Sequence, residues 1–123
     1  LNGWNTNDDD YVQDYIQCQQ LLEQVGSSEN KIFRPAYGKI KRSQIPFIHE
    51  KFKSRIINWT LMPGDFDETQ TSEQCFSNLQ KVKSGDIVVL HDNDKSWKHI
   101  QYCLPKFLEH LHSKNYKTEI ISL

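Results

Sequence analysis

Apolar residues along the chain follow two alternating spacings. Tyr11, Tyr15, Cys18, Leu22 and Val25 recur every three or four positions up to Gly26, which predicts an amphipathic helix closed by glycine at C′. Asn5-Thr6-Asn7-Asp8 supplies its cap candidates. Ile32-Phe33 begins a short strand ending at Arg34-Pro35. Ser43 can cap a short helix to about Phe52, with Pro46 tolerated in its first turn. The β-branched and aromatic run Arg55-Ile56-Ile57-Asn58-Trp59-Thr60 predicts a second strand. Thr71 or Ser72 opens the next helix. Thr71-Ser72-Glu73-Gln74 fits a capping box there, and Phe76, Leu79 and Val82 form the apolar face. Beyond the turn Ser84-Gly85-Asp86, Ile87-Val88-Val89-Leu90 is apolar on both faces, as a central parallel strand would be. A helical pattern follows from about Ser96 to His112, its main segment started by Pro105. Asn115 stands at the C′ position, and residues 117–123 close as a strand.

The predicted order is α-β-α-β-α-β-α-β, an α/β fold of parallel βα units with right-handed crossovers. At 123 residues the chain is read as a single domain, 1–123, long enough to bury roughly two-thirds of its unfolded surface. Four strands make a thin sheet, either a small doubly wound domain or half of a barrel. In the second case its two uncovered edges favour self-association.

Composition narrows the function classes. A net charge of −1 gives no general attraction to nucleic acid or to an anionic membrane. The short cluster Lys39-Ile40-Lys41-Arg42 reads as a solvated turn. Apolar runs are strand-sized, so no transmembrane helix is expected. The opening Leu1-Asn2-Gly3-Trp4-Asn5-Thr6 has neither a signal-peptide pattern nor an initiator methionine, so the chain is expected to be a processed product or a piece of something longer. Nothing in it assigns a compartment. Cys18, Cys75 and Cys103 cannot all pair with one another and form no CxxC, and each falls in a helical pattern, which predicts buried free thiols. No glycine-rich phosphate loop supports nucleotide binding.

Candidate chemistry gathers at strand ends. Three segments couple an apolar run to a turn: Arg34-Pro35-Ala36-Tyr37-Gly38, Trp59-Thr60-Leu61-Met62-Pro63-Gly64-Asp65-Phe66, and Gly85-Asp86-Ile87-Val88-Val89-Leu90-His91-Asp92. Ligands of α/β folds sit at the carboxyl ends of strands, so Arg34, Asp65 and His91 are expected to converge on one pocket. Asp67 competes with Asp65 for its role. His110 and His112 are two apart on a helix and face different ways, and His49 and His99 lack a ligand-spaced partner. No metal site is expected within this chain alone.

These three segments, in this order and spacing, resemble motifs three to five of the polysaccharide deacetylases of carbohydrate esterase family four. Arg34 through Gly38 is similar to that family's Arg-Pro-Pro-Tyr-Gly box. Trp59 through Phe66 is similar to the fourth motif, whose aspartate is usually followed by tryptophan. Ile87 through Asp92 is similar to the fifth, an apolar strand ending in His-Asp. The first two motifs, which carry the catalytic-base aspartate, a metal-binding aspartate and two metal-binding histidines, are absent, and Leu1-Asn2-Gly3-Trp4 resembles the segment after that histidine pair. The resemblance therefore implies the C-terminal portion of a deacetylase. Its fold would be a partial (β/α) barrel of about four strands with the N-terminal strands missing.

The implied reaction is hydrolysis of N-acetyl (or O-acetyl) groups on a carbohydrate. A divalent metal, zinc or similar, serves the full-length family, and none is expected to bind at the family site in this chain. The chain is accordingly expected to be inactive alone, with an N-acetylated polysaccharide or oligosaccharide as its partner. By resemblance His91 is the general acid, an imidazole being suited to proton transfer near neutral pH. Asp65 orients it, and Arg34 holds the catalytic aspartate or, in its absence, another acceptor such as Asp65. Tyr37 helps bind the acetyl oxygen through its backbone N–H, Phe66 walls the sugar groove, and Val89 lines the methyl pocket where the family usually has leucine. Ala36 replaces the second proline, and Phe66 replaces a tryptophan, which leaves stacking area without an indole donor. The alternative is a non-catalytic carbohydrate-binding or scaffold α/β module. A third class, independent of the resemblance, is a small doubly wound binding domain.

Overall fold

The computed structural model describes residues 1–26 and 32–121. The chain divides into two compact units, Leu1–Asn58 and Trp59–Ile121.

In the first unit, helix α1 (Asp8–Gln24) starts where the Asn7 side chain accepts the Asp10 N–H. It ends as predicted: Gly26 takes φ +84°, and its N–H bonds to Glu23 O. The buried residues of α1, Tyr11 and Tyr15, lie in its first half. Tyr11 and Tyr15 are buried with Ile48, and Phe33, Phe52 and Ile56 close around them. The Tyr15 and Phe33 rings meet edge to face with centroids 5.0 Å apart. Cys18 lies past this contact and is exposed, which corrects the expectation of three buried thiols.

Strand β1 (Ile32–Phe33) pairs in parallel with β2 (Arg55–Ile56), and the Ile57 N–H extends the ladder to Phe33 O at 2.9 Å. The helix expected after Ser43 is a wide π turn, Phe47–Lys51, with no side-chain cap. A different residue ties this region down. Buried Gln44 accepts the Lys41 N–H at 2.9 Å and donates to Gly3 O at 3.1 Å. A side chain at Gly3 would come within 2.5 Å of Lys39 O, so only glycine fits there.

In the second unit, helix α2 (Ser72–Leu79) begins with the predicted capping box: Thr71 accepts the Gln74 N–H, and Gln74 Oε1 accepts the Thr71 N–H. Helix α3 (Asp94–Ser113) starts on Asn93, whose side chain accepts the Ser96 N–H. The two helices bury Cys75 and Leu79 against Cys103, Phe107 and Leu111, with Val88 and Leu90 packed on the same cluster. Pro105 lies inside α3 rather than opening a segment, correcting the sequence expectation. The stripe His99, Cys103, Phe107 and Leu111, one residue every four, is buried on both sides of the proline and holds the helix together. Pro105 and Gln101 are exposed, so water can reach the Gln101 carbonyl that the proline leaves without a donor. Asn115, at φ 56°, ends α3 as predicted. Its N–H bonds to His112 O, and that of Tyr116 bonds to Leu111 O.

Parallel pairing is sparser than predicted. Besides β1 and β2, Leu61 bridges Val88 in parallel. The run from Arg55 to Thr60 is thus not one continuous strand: its start pairs with β1, and Thr60-Leu61 pairs with Ile87-Val89. The predicted last strand does not form over 117–121, and its residues 122–123 lie outside the described residues. Among the described residues, no helix is long and apolar enough to cross a membrane.

The buried thiols carry a pH dependence. Burial pushes the Cys75 thiol up to about 12. Burial also raises Cys103, whose Sγ donates to Ser72 O at 3.2 Å. A thiol that titrates higher when folded stabilises the fold fully below its unfolded value, about pH 8.5, and loses that contribution as pH climbs towards 12. A thiol-reagent titration at about pH 8 is expected to find Cys18 reactive in the native chain and all three cysteines reactive after denaturation. Rapid modification of Cys75 or Cys103 in the native chain would contradict this.

Candidate functional site: the Asp65–His91 pair

Two parallel segments that pair side by side also end side by side. The Thr60 N–H donates to Ile87 O at 2.9 Å, and the Val89 N–H donates to Leu61 O at 3.1 Å. The chain leaving Leu61 reaches Asp65 through Met62-Pro63-Gly64, and the chain leaving Val89 reaches His91 through Leu90. Asp65 and His91 therefore meet at one strand end.

The contact is two-fold. The His91 backbone N–H donates to Asp65 Oδ2 at 2.6 Å, and His91 Nδ1 lies 3.0 Å from Asp65 Oδ1. A carboxylate accepts and does not donate, so Nδ1 carries the hydrogen of that bond. Nε2 is left as the ring nitrogen for exchange with a ligand. The Asp65 side chain is fully buried, whereas that of His91 is 26% exposed. A carboxylate taken out of water needs charged or hydrogen-bonded partners, and His91 supplies two donors from one residue.

Phe66 follows Asp65 and sets its ring at 76° to the imidazole, centroids 5.1 Å apart. It remains 45% exposed, so ring surface beside His91 faces solvent. Val88 and Leu90 pack on the helices. Alternation therefore puts Val89 and His91 on the opposite face, and Val89 is half-buried. Asp67, the competing carboxylate, is occupied elsewhere: its Oδ1 accepts the Thr69 hydroxyl at 2.7 Å and the Thr69 N–H at 3.0 Å. Those bonds, the hydroxyl first, hold its carboxyl below the usual range.

The turn carrying Asp65 has a support with no signature in the sequence. Gly64 takes φ +81°. Gln70 Nε2 donates to Gly64 O at 2.7 Å and Pro63 O at 3.4 Å. Asn78 Nδ2, from α2, donates to Pro63 O at 3.1 Å and to Gln70 Oε1 at 3.2 Å. Gln70 and Asn78 belong to no recognisable motif, and only the folded backbone brings them to this turn.

Arg34 and Tyr37 are carried by the first unit. Arg34 is exposed beside buried Pro35. Tyr37 lies in a 3₁₀ turn, Ala36–Gly38, at φ 57°, and is 75% exposed. This left-handed backbone costs a tyrosine about 1–2 kcal/mol and is the kind of local strain that gathers at functional positions. Two of the other histidines have local partners: His99 Nδ1 lies 3.1 Å from Ser72 Oγ, and His49 Nδ1 lies 3.3 Å from Ser54 O. Among the described residues no group of three or more His, Cys, Asp or Glu is placed to hold a metal ion, so the residues present do not fit the metal centre that the resemblance implies for the full-length family.

No protein-family model matches the chain, and no curated protein matches it in sequence. Solved structures do match. The Bc1960 peptidoglycan N-acetylglucosamine deacetylase superposes with a TM-score of 0.84 at 21% identity, over 95% of this chain and 55% of that one. A family 4 carbohydrate esterase from Streptomyces lividans gives 0.77 at 18%, over 95% and 58%. BA3943 from Bacillus anthracis, described as a family pseudoenzyme, gives 0.78 at 18%, over 95% and 40%. Over nearly its whole length, this chain has the fold of family four carbohydrate esterases and spans about half the length of the structures it matches.

Proposed function

We propose that the chain is the C-terminal portion of a carbohydrate deacetylase and carries the acid half of its site, within a partial (β/α) barrel. The observation that supports this most directly is the double hydrogen bond from His91 to buried Asp65, at 2.6 and 3.0 Å, at the end of paired parallel segments. In deacetylation the C–N bond of an N-acetyl group breaks, and the departing nitrogen must take a proton. His91 would give that proton from Nε2 while Asp65 holds Nδ1–H and stabilises the charged ring. Phe66 would wall the sugar groove, and Val89 would meet the acetyl methyl. In the first unit, Arg34 would hold a carboxylate and the Tyr37 backbone N–H would serve as an oxygen-binding donor. The water-activating base and the metal ligands would come from residues outside this chain. The substrate class is an N-acetylated polysaccharide or oligosaccharide.

A non-catalytic carbohydrate-binding module is the second reading. It is favoured by the lack of a metal-holding group among the described residues and by the likeness to a pseudoenzyme.

Titration of the chain with N-acetylglucosamine oligomers is expected to shift the ring resonances of His91 and Phe66 and leave those of the Leu79–Phe107 core unmoved. Phe66→Ala is expected to weaken binding about tenfold, the order of one lost aromatic contact. An unchanged His91 spectrum at saturating sugar would overturn the assignment of the site. Acetate release from these oligomers is expected to be absent for the chain alone, even with added zinc. Metal-stimulated turnover would refute the half-site reading.

A further inference from the structure

We propose that Gln70 is a positioning residue for the Asp65–His91 pair, clamping the turn that carries Asp65 through two consecutive backbone carbonyls, with Asn78 as its backing. The proposal rests on the acid-half reading for its functional meaning but not for its geometry. A side-chain amide has two hydrogens to donate. Those of Gln70 Nε2 go to Gly64 O and Pro63 O, and those of Asn78 Nδ2 go to Pro63 O and Gln70 Oε1. All four are used, and three of the four bonds end on the two residues directly before Asp65. Both amides must present nitrogen to the turn, because the groups they meet there are carbonyls.

Fixing the planes of those two peptides fixes where the Asp65 side chain leaves the backbone. Asp65 then has to reach two hydrogens of His91 at once, at 2.6 and 3.0 Å, and a small rotation of the turn would break one of them. Gly64 shows how close the clamp lies: a Cβ there would stand 2.0 Å from Gln70 Nε2. The line of support runs from α2 through Asn78 and Gln70 to the turn, then through Asp65 to His91. On its outer side Gln70 lines an open cleft of about 420 Å³ with Thr69, Gln74, Ser77 and Asn78. Water can enter there when the amide is removed, so the fold is expected to survive its loss.

The test uses the whole chain and compares Gln70→Met, which keeps length and packing but has no donor, with Gln70→Ala, Asn78→Ala and Ser77→Ala. The readouts are hydrogen exchange of the His91 backbone amide, the imidazole Nδ1–H resonance, and unfolding by circular dichroism. Gln70→Met and Gln70→Ala are expected to speed His91 exchange at least about tenfold and to broaden the Nδ1–H resonance, while exchange at Leu79 and Phe107 stays as in the parent. Asn78→Ala is expected to give a smaller rise of about threefold, and Ser77→Ala none. A purely structural Gln70 would move all amides of the second unit together and would overturn the proposal. So would Gln70→Met with unchanged His91 signals. Should Gln70→Met fail to fold, Asn78→Ala decides by the same signals. If the Gln70 variants loosen His91 but sugar never perturbs it, positioning stands and the deacetylase reading falls. If sugar perturbs His91 and the Gln70 variants leave it unchanged, the positioning role falls and the deacetylase reading stands.

Discussion

Replacing Leu79 with alanine is expected to lower the unfolding free energy by about 2–5 kcal/mol, the range for a buried leucine whose cavity only partly collapses. Leu79 is fully buried and closes the end of α2 against Cys103, Phe107 and Leu111. Its neighbours Val88 and Leu90 belong to the segment that ends in His91, so the loss reaches the site as well as the core. Urea unfolding followed by circular dichroism measures it as a lower midpoint with an unchanged slope. A loss below about 1 kcal/mol would mean that the α2–α3 contact is not the core of the second unit.

Asp65→Ala is expected to act on the site more than on the fold. It leaves the His91 backbone N–H without its acceptor, at about 1–3 kcal/mol for an orphaned donor, and releases the imidazole. The ring can then turn, and the Nδ1–H resonance should vanish into exchange with water. Asp65→Asn keeps one acceptor but sets an amide N–H₂ against a donor, so it should recover only part of the loss. If the Nδ1–H resonance persists in Asp65→Ala, the carboxylate is not what holds His91.

Pattern carried the reading of this chain where the physics is local. The Thr71 capping box, the Asn7 region and the C′ residues Gly26 and Asn115 involve only neighbours in sequence, and all were legible. The Asp65–His91 contact was legible because paired strand ends are adjacent whatever the rest of the sheet does. Strand lengths were not, because β-branched runs such as Arg55–Thr60 report propensity and not the presence of a partner beside each residue. The π turn at Phe47–Lys51 and the interior place of Pro105 reflect tertiary packing that overrides local preference. Cys18 fitted the helical period but lies beyond Tyr11 and Tyr15, the buried positions of α1. Gln70 and Asn78 were silent, since an amide in a loop or at a polar position of a helix carries no signature of its target, and its carbonyl partners exist only once the turn has formed.

Pro105 gives α3 a dependence that its length conceals. An interior proline costs a helix about 3 kcal/mol, and twenty residues of ordinary propensity do not recover that in water. The helix is therefore conditional on its neighbour. Excised as a peptide, it should fall into two frayed halves that meet at Leu104-Pro105, so the continuous rod is a property of the assembled pair of helices and not of its own sequence.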